Sequence, residues 1–135
     1  FKVVNDNHGH EMGDGVLRAI SGVIRENISR PLDLVCRWGG EEFVVVLPDT
    51  PVEGATHVAE RIMNAVHEKP VFPSGDILRT GSHINVTVSI GIASMLVTKD
   101  DITEDLIDKA DKAMLQAKSE GRNCYRVWKT PTNPR

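Results

Sequence analysis

The sequence predicts an α+β domain in which three helices and a β-hairpin flank a central, mostly antiparallel sheet. Apolar residues recur at helical spacing in three segments, and two runs of strand-forming residues flank the glycine pair at 39–40. Alternating apolar and polar residues from Ile84 to Ile90 indicate a further strand. With 135 residues, of which 40% are hydrophobic, the chain is long enough for one domain with one core.

Composition and charge argue against several classes of protein. The formal net charge of −3 disfavours a general nucleic-acid binder, which needs a basic face. No apolar run approaches the length of a membrane span, so we expect no direct membrane contact by this domain, although a parent protein could be membrane-anchored. The two cysteines, Cys36 and Cys124, lack a partner motif, which indicates a reducing, cytoplasmic compartment.

The first helix is predicted after a polar segment that ends near residue 13. Asp14 could cap its N-terminus, or the helix could begin earlier and include this residue. Apolar residues continue at helical spacing as far as Ile28, and Arg30-Pro31 ends the helix. Because the chain opens at Phe1 without an initiating Met, we expect the first strand of the sheet to be largely missing.

The hairpin is predicted from the runs Leu34–Trp38 and Phe43–Leu47, joined by a tight turn in which glycine adopts positive φ cheaply. Glu41 and Glu42 follow the glycines directly, and strand alternation sends their side chains to opposite faces. Two acids beside a turn without side chains indicate a metal or phosphate site. The alternative is a solvated hairpin tip with two surface charges.

The second half of the chain predicts two more helices and two strands. Its turn and capping residues mark where each of these elements begins and ends. The elements are, in chain order, a helix that begins with the capping box Thr50-Pro51-Val52-Glu53, a loop at 67–83, the strand from Ile84 with a bulge at Gly91, a helix that Thr103 caps and Gly121 stops, a strand at 124–128 and a disordered tail at 130–135.

Six short motifs follow one another along nearly the whole chain, from residue 1 to about residue 128. They are Phe1-Lys2-x-x-Asn5-Asp6, Gly9-His10-x-x-Gly13-Asp14, Arg37-x-Gly39-Gly40-Glu41-Glu42-Phe43, Val88-Ser89-Ile90-Gly91, Ala110-Asp111-x-Ala113 and Ala117-Lys118-x-x-Gly121-Arg122-Asn123. On these motifs the chain resembles the GGDEF family of diguanylate cyclases. The resemblance implies one GGDEF domain over residues 1–129, with a ferredoxin-like palm similar to that of nucleotide cyclases.

The resemblance implies a reaction and its catalytic groups. Two GTP molecules are joined into cyclic di-GMP, with release of two pyrophosphates, across a two-fold homodimer. Two Mg²⁺ or Mn²⁺ ions per active site are implied, and displacement at a phosphate demands the charge neutralisation that they supply. Glu41 and Glu42 match the metal ligands, with Glu41 also the candidate proton acceptor. Lys2 matches a group that steadies the transition state, and the backbone at Gly39 and Gly40 runs along the phosphates.

Four further positions match the family's substrate contacts. Asn5 and Asp14 match the guanine-reading pair, and an amide with a carboxylate suits the acceptor at O6 and the donors at N1 and N2 of guanine. Lys118 and Arg122 match the phosphate clamp. Because they are four residues apart, both could project from one side of a helix end.

The resemblance also implies control by the product. Arg30 and Asp33 match the RxxD inhibitory site for cyclic di-GMP, and Arg61 matches a further basic contact. The alternative for Arg30 and Asp33 is a surface ion pair of little energetic value. A sensory or receiver domain is expected in the parent protein.

One departure from the family pattern affects catalysis. The family's first metal-binding Asp lies upstream of Phe1, so we expect this chain alone to have an incomplete metal site and to be inactive by itself. A rival interpretation is a non-catalytic module that binds cyclic di-GMP or GTP. The intact Gly39-Gly40-Glu41-Glu42-Phe43 motif disfavours that rival.

Overall fold

The computed structural model describes residues 9–129, which divide into two compact units. The first unit comprises the described part of Phe1–Asp49 with Arg61–Thr87, and the second comprises Thr50–Glu60 with the described part of Val88–Arg135. Within the described residues the elements are α1 His10–Asn27, β1 Leu34–Gly39, β2 Glu42–Val46, α2 Val52–Glu68, β3 Ile90–Ile92, α3 Thr103–Ser119 and β4 Tyr125–Val127.

The α+β class is confirmed, but residues 9–129 do not form one central sheet. They form two sheets of two strands each, an antiparallel pair of β1 with β2 and a parallel pair of β3 with β4. The predicted strand from Ile84 to Ile90 is wrong, because Ile84 makes only an isolated bridge to Val71 and regular pairing begins at Ile90. Alternation predicts which residues are half-buried, whereas a strand also needs a partner beside it.

In the first unit, α1 begins at His10, so Asp14 lies inside the helix and does not cap it. The alternative in which the helix begins earlier is confirmed. Gly9 occupies the cap position with φ of 85°, and its carbonyl accepts a hydrogen bond of 3.2 Å from the Gly13 amide. A positive φ of this kind costs glycine little, which explains the residue type at the start of the helix.

The buried face of α1 packs against the segment that follows α2. Met12, Val16 and Val71 are each at most 5% exposed and form one apolar cluster. At Gly15 the helix is so close to this segment that a Cβ would lie 2.0 Å from the Phe72 carbonyl oxygen. The close approach holds the buried side of α1 in place and leaves the opposite side of the helix accessible.

In the second unit, β3 packs directly on α3. Gly91 pairs regularly with Arg126, so the predicted bulge at Gly91 is wrong. Instead, a Cβ at Gly91 would lie 2.0 Å from the Ala110 carbonyl oxygen and 2.3 Å from the Met114 amide nitrogen. The residue is glycine because strand and helix backbones meet there without an intervening side chain.

The start of α3 differs from the prediction, and its end agrees with it. The helix begins at Thr103 with Ile102 at the cap position, so Thr103 is not the cap. Gly121 ends the helix with φ of 109°, and the Arg122 amide donates to the Ala117 carbonyl oxygen at 3.0 Å. This is the hydrogen bond of a Schellman motif, which requires a left-handed residue at the position of Gly121.

Two further predictions concern the C-terminal tail and the membrane. The predicted tail at 130–135 lies outside the described residues. Among residues 9–129, none of the helices combines the length and the apolar character that a membrane crossing requires.

Candidate active site

The hairpin turn is displaced by one residue from its predicted position. Gly39 is the last residue of β1 and pairs with Glu42, so the turn consists of Gly40 and Glu41. Gly40 has φ of 46°, in the left-handed region. The expectation that Glu41 and Glu42 lie on opposite faces of one strand is therefore wrong, because Glu41 belongs to the turn and only Glu42 belongs to β2.

The backbone of this turn is open on the side where side chains would stand. A Cβ added at Gly39 or at Gly40 would meet no atom within 4 Å. Another molecule can therefore approach the main chain closely at both positions. The Gly40 carbonyl oxygen accepts a hydrogen bond of 2.8 Å from Nε of Arg37, a contact that the sequence pattern did not predict. The position of Arg37 in the hairpin motif was its only sequence signal.

The neighbouring acids Glu41, in the turn, and Glu42, at the start of β2, fit a divalent cation that is shared with a substrate. Glu41 is exposed and Glu42 is half-buried. Within residues 9–129 there is no group of three or more His, Cys, Asp or Glu side chains that could hold a metal ion. Mg²⁺ is commonly held by only one or two carboxylates, with phosphate and water oxygens as its remaining ligands. The Glu41 and Glu42 carboxylates therefore have suitable donor chemistry for part of such a site.

The other predicted substrate contacts are distributed over the chain. Asp14 is exposed on α1, in the same unit as the hairpin turn. Lys2 and Asn5 lie outside the described residues. Lys118 and Arg122 belong to the second unit, where Lys118 is half-buried in the last turn of α3.

Arg122 lies beyond the end of α3, so helical spacing does not determine the direction of its side chain. The helix ends at Ser119, and Arg122 has φ of 63°. Its exposed side chain is carried by the Schellman turn, whose conformation is fixed by hydrogen bonds to the last turn of the helix.

A charged network lies beside this turn. Glu120 accepts a hydrogen bond of 3.1 Å from the Gln116 side chain and another from Nε of Arg126. These two hydrogen bonds, with that of Gln116 the stronger influence, hold the pKa of the Glu120 carboxyl below its ordinary value. Glu120 is therefore a carboxylate at neutral pH and stabilises the cationic form of Arg126.

Two of the three predicted regulatory residues, Arg30 and Asp33, lie at the other end of the hairpin, and Arg61 lies on α2. Arg30 contacts Asp33 through two side-chain hydrogen bonds, of 3.0 Å and 3.3 Å, and donates at 2.9 Å to the Pro48 carbonyl oxygen. The Asp33 side chain is only 5% exposed, whereas that of Arg30 is 48% exposed. Arg61 donates at 3.0 Å to the Asn27 carbonyl oxygen. The structure thus orients the Arg30 guanidinium at the foot of the hairpin.

An open glycine turn with one carboxylate in the turn and a second at the start of the next strand, in an α+β fold, defines a candidate phosphate-binding site of the kind that nucleotide-dependent proteins use. Residues 1–124 match the family described as diguanylate cyclase, GGDEF domain. The chain belongs to this family, and the prediction of the family from the sequence motifs is confirmed.

Proteins of similar sequence include a response regulator and a diguanylate cyclase. The chain is 42% identical over 123 residues to the response regulator PleD of Caulobacter vibrioides, a match that covers 91% of the chain and 26% of PleD. It is 40% identical over 123 residues to diguanylate cyclase A of Treponema denticola, covering 91% of the chain and 31% of that protein. The chain therefore spans only about a quarter to a third of the length of these relatives.

Solved structures are similar over almost the whole chain. The active GGEEF domain of a diguanylate cyclase from Vibrio cholerae has a TM-score of 0.77 and 33% identity, covering 96% of this chain and 77% of that one. The GGDEF domain of DgcB from Caulobacter crescentus, in complex with c-di-GMP, has a TM-score of 0.82 and 27% identity. The match covers 96% of this chain and 72% of that one.

Proposed function

We propose that this domain is the catalytic domain of a diguanylate cyclase, which joins two GTP molecules into cyclic di-GMP and releases two pyrophosphates. The observation that carries the proposal is the open turn at Gly39 and Gly40 with Glu41 beside it. Membership of the family and relatives that are named diguanylate cyclases support it. The domain would act as a two-fold homodimer in which each subunit holds one GTP.

The reaction consists of two phosphoryl transfers. In each, the 3′-hydroxyl oxygen of one GTP forms a bond to the α-phosphorus of the other, and the bond from that phosphorus to the pyrophosphate oxygen breaks. The hydroxyl proton passes to the Glu41 carboxylate, which is exposed in the turn. The bare backbone of Gly39 and Gly40 lets the phosphates approach the main chain, and little covalent help from the protein is needed.

Glu41 and Glu42 would hold Mg²⁺ or Mn²⁺, with two ions per active site. When bound, the ions neutralise phosphate charge and steady the attacking and leaving oxygens. Lys2 would stabilise the charge that develops on the transferred group. Because the chain spans only about a quarter to a third of the length of its named relatives, each test uses the full-length protein that contains this domain.

Substrate selection and phosphate binding would depend on four side chains. Asn5 and Asp14 would read the guanine edge, which adenine cannot match because its donor and acceptor positions differ. Lys118 and Arg122 would bind the phosphates. Arginine suits this task because its planar guanidinium binds phosphate oxygens in pairs.

Product feedback would act through Arg30, Asp33 and Arg61. The Arg30 guanidinium is already oriented by the buried Asp33 carboxylate, so binding of a phosphate there requires little rearrangement. A structural neighbour, the GGDEF domain of DgcB, is known in complex with c-di-GMP. By analogy with PleD, which is a response regulator, the parent protein would carry a receiver or sensory domain in the cytoplasm.

The test is incubation of the full-length protein with GTP and Mg²⁺, followed by chromatography of the nucleotides. We expect cyclic di-GMP and pyrophosphate from GTP, no cyclic product from ATP, and a loss of at least about a hundredfold in rate for Glu41→Gln. Binding of cyclic di-GMP or GTP without any product, even in an Arg30→Ala variant that relieves inhibition, would replace the enzyme by the non-catalytic module.

A further inference from the structure

Arg37 contacts the turn without belonging to it. It lies on β1 and pairs with Phe43 in the ladder, and its Nε donates at 2.8 Å to the Gly40 carbonyl oxygen three residues later. Between Arg37 and Gly39 the ladder is irregular, so regular pairing alone does not fix the chain there. The side chain supplies a connection across the part of the hairpin where the register changes.

The Gly40 carbonyl is an effective point at which to fix the turn. None of the described peptide bonds is cis, so the peptide bond from Gly40 to Glu41 is trans. Resonance keeps this peptide unit close to planar. Fixing the direction of the carbonyl therefore fixes the plane that contains the Glu41 amide and the Glu41 Cα. Glycine at this position has φ of 46° and little intrinsic conformational restriction. Glycine therefore permits more than one orientation of this plane within the turn, and the hydrogen bond from Arg37 selects one of them.

We propose that Arg37 is a positioning residue for the reaction, because its Nε–H holds the Gly40 carbonyl and so sets the position of the Glu41 backbone relative to the bound nucleotide. The guanidinium lies on the carbonyl side of this peptide, whereas the Cβ sides of Gly39 and Gly40 stay open. The Gly40 carbonyl oxygen is thus held by the protein, while the space beside the Cβ positions of Gly39 and Gly40 contains no protein atom within 4 Å. The inference rests on the proposed function for its kinetic readout only.

The chemistry of position 37 allows a sharp test with three substitutions. In Arg37→Gln the amide nitrogen is as many bonds from Cα as Nε is in arginine, so the hydrogen bond is kept and the charge is lost. In Arg37→Lys a methylene group occupies that place, so the charge is kept and the donor is displaced. In Arg37→Met neither the donor nor the charge remains, but the length of the side chain is similar.

Steady-state kinetics with GTP on the full-length protein separates the role of Arg37 as a hydrogen-bond donor from a role of its charge. We expect kcat to fall about tenfold to a hundredfold in Arg37→Met and Arg37→Lys, since misplacing a reacting group by 1 Å costs about that much. The KM for GTP should change by less than about threefold, and Arg37→Gln should keep kcat within about threefold of the wild type. Recovery by Lys and not by Gln would mean that the charge of Arg37 acts directly on phosphate, and would overturn the proposal.

Hydrogen–deuterium exchange of the peptide that covers residues 36–44 tests the same proposal without any turnover. Exchange should rise in Arg37→Met and Arg37→Lys and stay at the wild-type level in Arg37→Gln. Equal exchange in Arg37→Met and the wild type would overturn the positioning role. If the wild-type protein forms no cyclic dinucleotide, the proposed function fails, and the exchange data alone then decide the role of Arg37.

Discussion

The two ends of the β1–β2 hairpin differ in what they offer to a ligand. At the foot, Arg30 is hydrogen-bonded to Asp33 and to the Pro48 carbonyl oxygen, so that the residues before β1 and after β2 are tied together. At the tip, the Cβ positions of Gly39 and Gly40 face open space. One ribbon thus offers an oriented guanidinium at one end and a bare main chain at the other.

This difference suits two kinds of ligand contact. A six-residue strand such as β1 is about 20 Å long, so a group bound to Arg30 at the foot lies well away from Glu41 at the tip. Under the proposed function, a product bound at Arg30 would therefore inhibit without blocking the turn, for example by changing how two catalytic subunits meet. The following predictions test the contrast between the open tip and the tied foot, beginning with the largest effect.

Adding one methyl group at the open tip should remove activity without unfolding the protein. In Gly39→Ala the new Cβ meets no protein atom, so the free energy of unfolding should stay within about 0.5 kcal/mol of the wild type. If the proposed function holds, the methyl group occupies space that the phosphates need, and kcat/KM for GTP should fall about a hundredfold. Wild-type activity in this variant would show that no substrate passes along the turn at Gly39.

The matched control is Gly91, where an added Cβ would have no open space. In Gly91→Ala the Cβ would lie 2.0 Å from the Ala110 carbonyl oxygen, and both backbones would have to separate. We expect a loss of about 2 kcal/mol or more in the free energy of unfolding, measured by urea denaturation at constant m. A Gly91→Ala variant as stable as Gly39→Ala would contradict the close packing of β3 on α3.

At the foot, Arg30→Ala should weaken product inhibition. Removing the oriented guanidinium takes away a pair of charge-assisted contacts to phosphate, so the concentration of cyclic di-GMP that halves the rate should rise about tenfold or more. The comparison variant is Arg25→Ala, which removes the same charge from the last turn of α1. If both variants are inhibited as strongly as the wild type, the Arg30–Asp33 pair is only a surface ion pair.

The smallest effect is expected at the end of α3, where Glu120 is paired with Arg126 on the surface. Because folding lowers the pKa of the Glu120 carboxyl, its contribution to stability is complete above its ordinary pKa, near 4.3, and is lost as the pH falls through the lowered value. The Tm of Glu120→Gln should therefore lie slightly below that of the wild type at pH 7. The gap should close on acidification, and a gap that persists at pH 2 would exclude this explanation.

The sequence predicted the family, the three helices and the hairpin because these depend on local patterns. Periodicity located α1, and the glycine pair located the turn to within one residue. The pattern could not predict that Gly39 pairs with Glu42, because register depends on side-chain packing across the strands. Nor could it distinguish a bulge at Gly91 from close packing on α3, since both use a glycine in a strand.

The hydrogen bond from Arg37 to the Gly40 carbonyl oxygen was not predictable for a related reason. A hydrogen bond between a side chain and a carbonyl three residues away depends on the turn conformation, and the sequence alone gives no φ for Gly40. For Arg30 and Asp33 the spacing alone left an ion pair and a product site open. The contact to the Pro48 carbonyl oxygen, which comes from a distant part of the chain, was not predictable from that spacing.

The left-handed residues after α3 have a consequence for recognition. Positive φ angles occur at three successive residues, Gly121, Arg122 and Asn123. The Arg122 amide donates a hydrogen bond to the Ala117 carbonyl oxygen of the helix. The main chain at Arg122 is therefore a rigid corner. A ligand that contacts this arginine would have to order only the side-chain torsions, so its association would lose less conformational entropy than it would on a mobile loop.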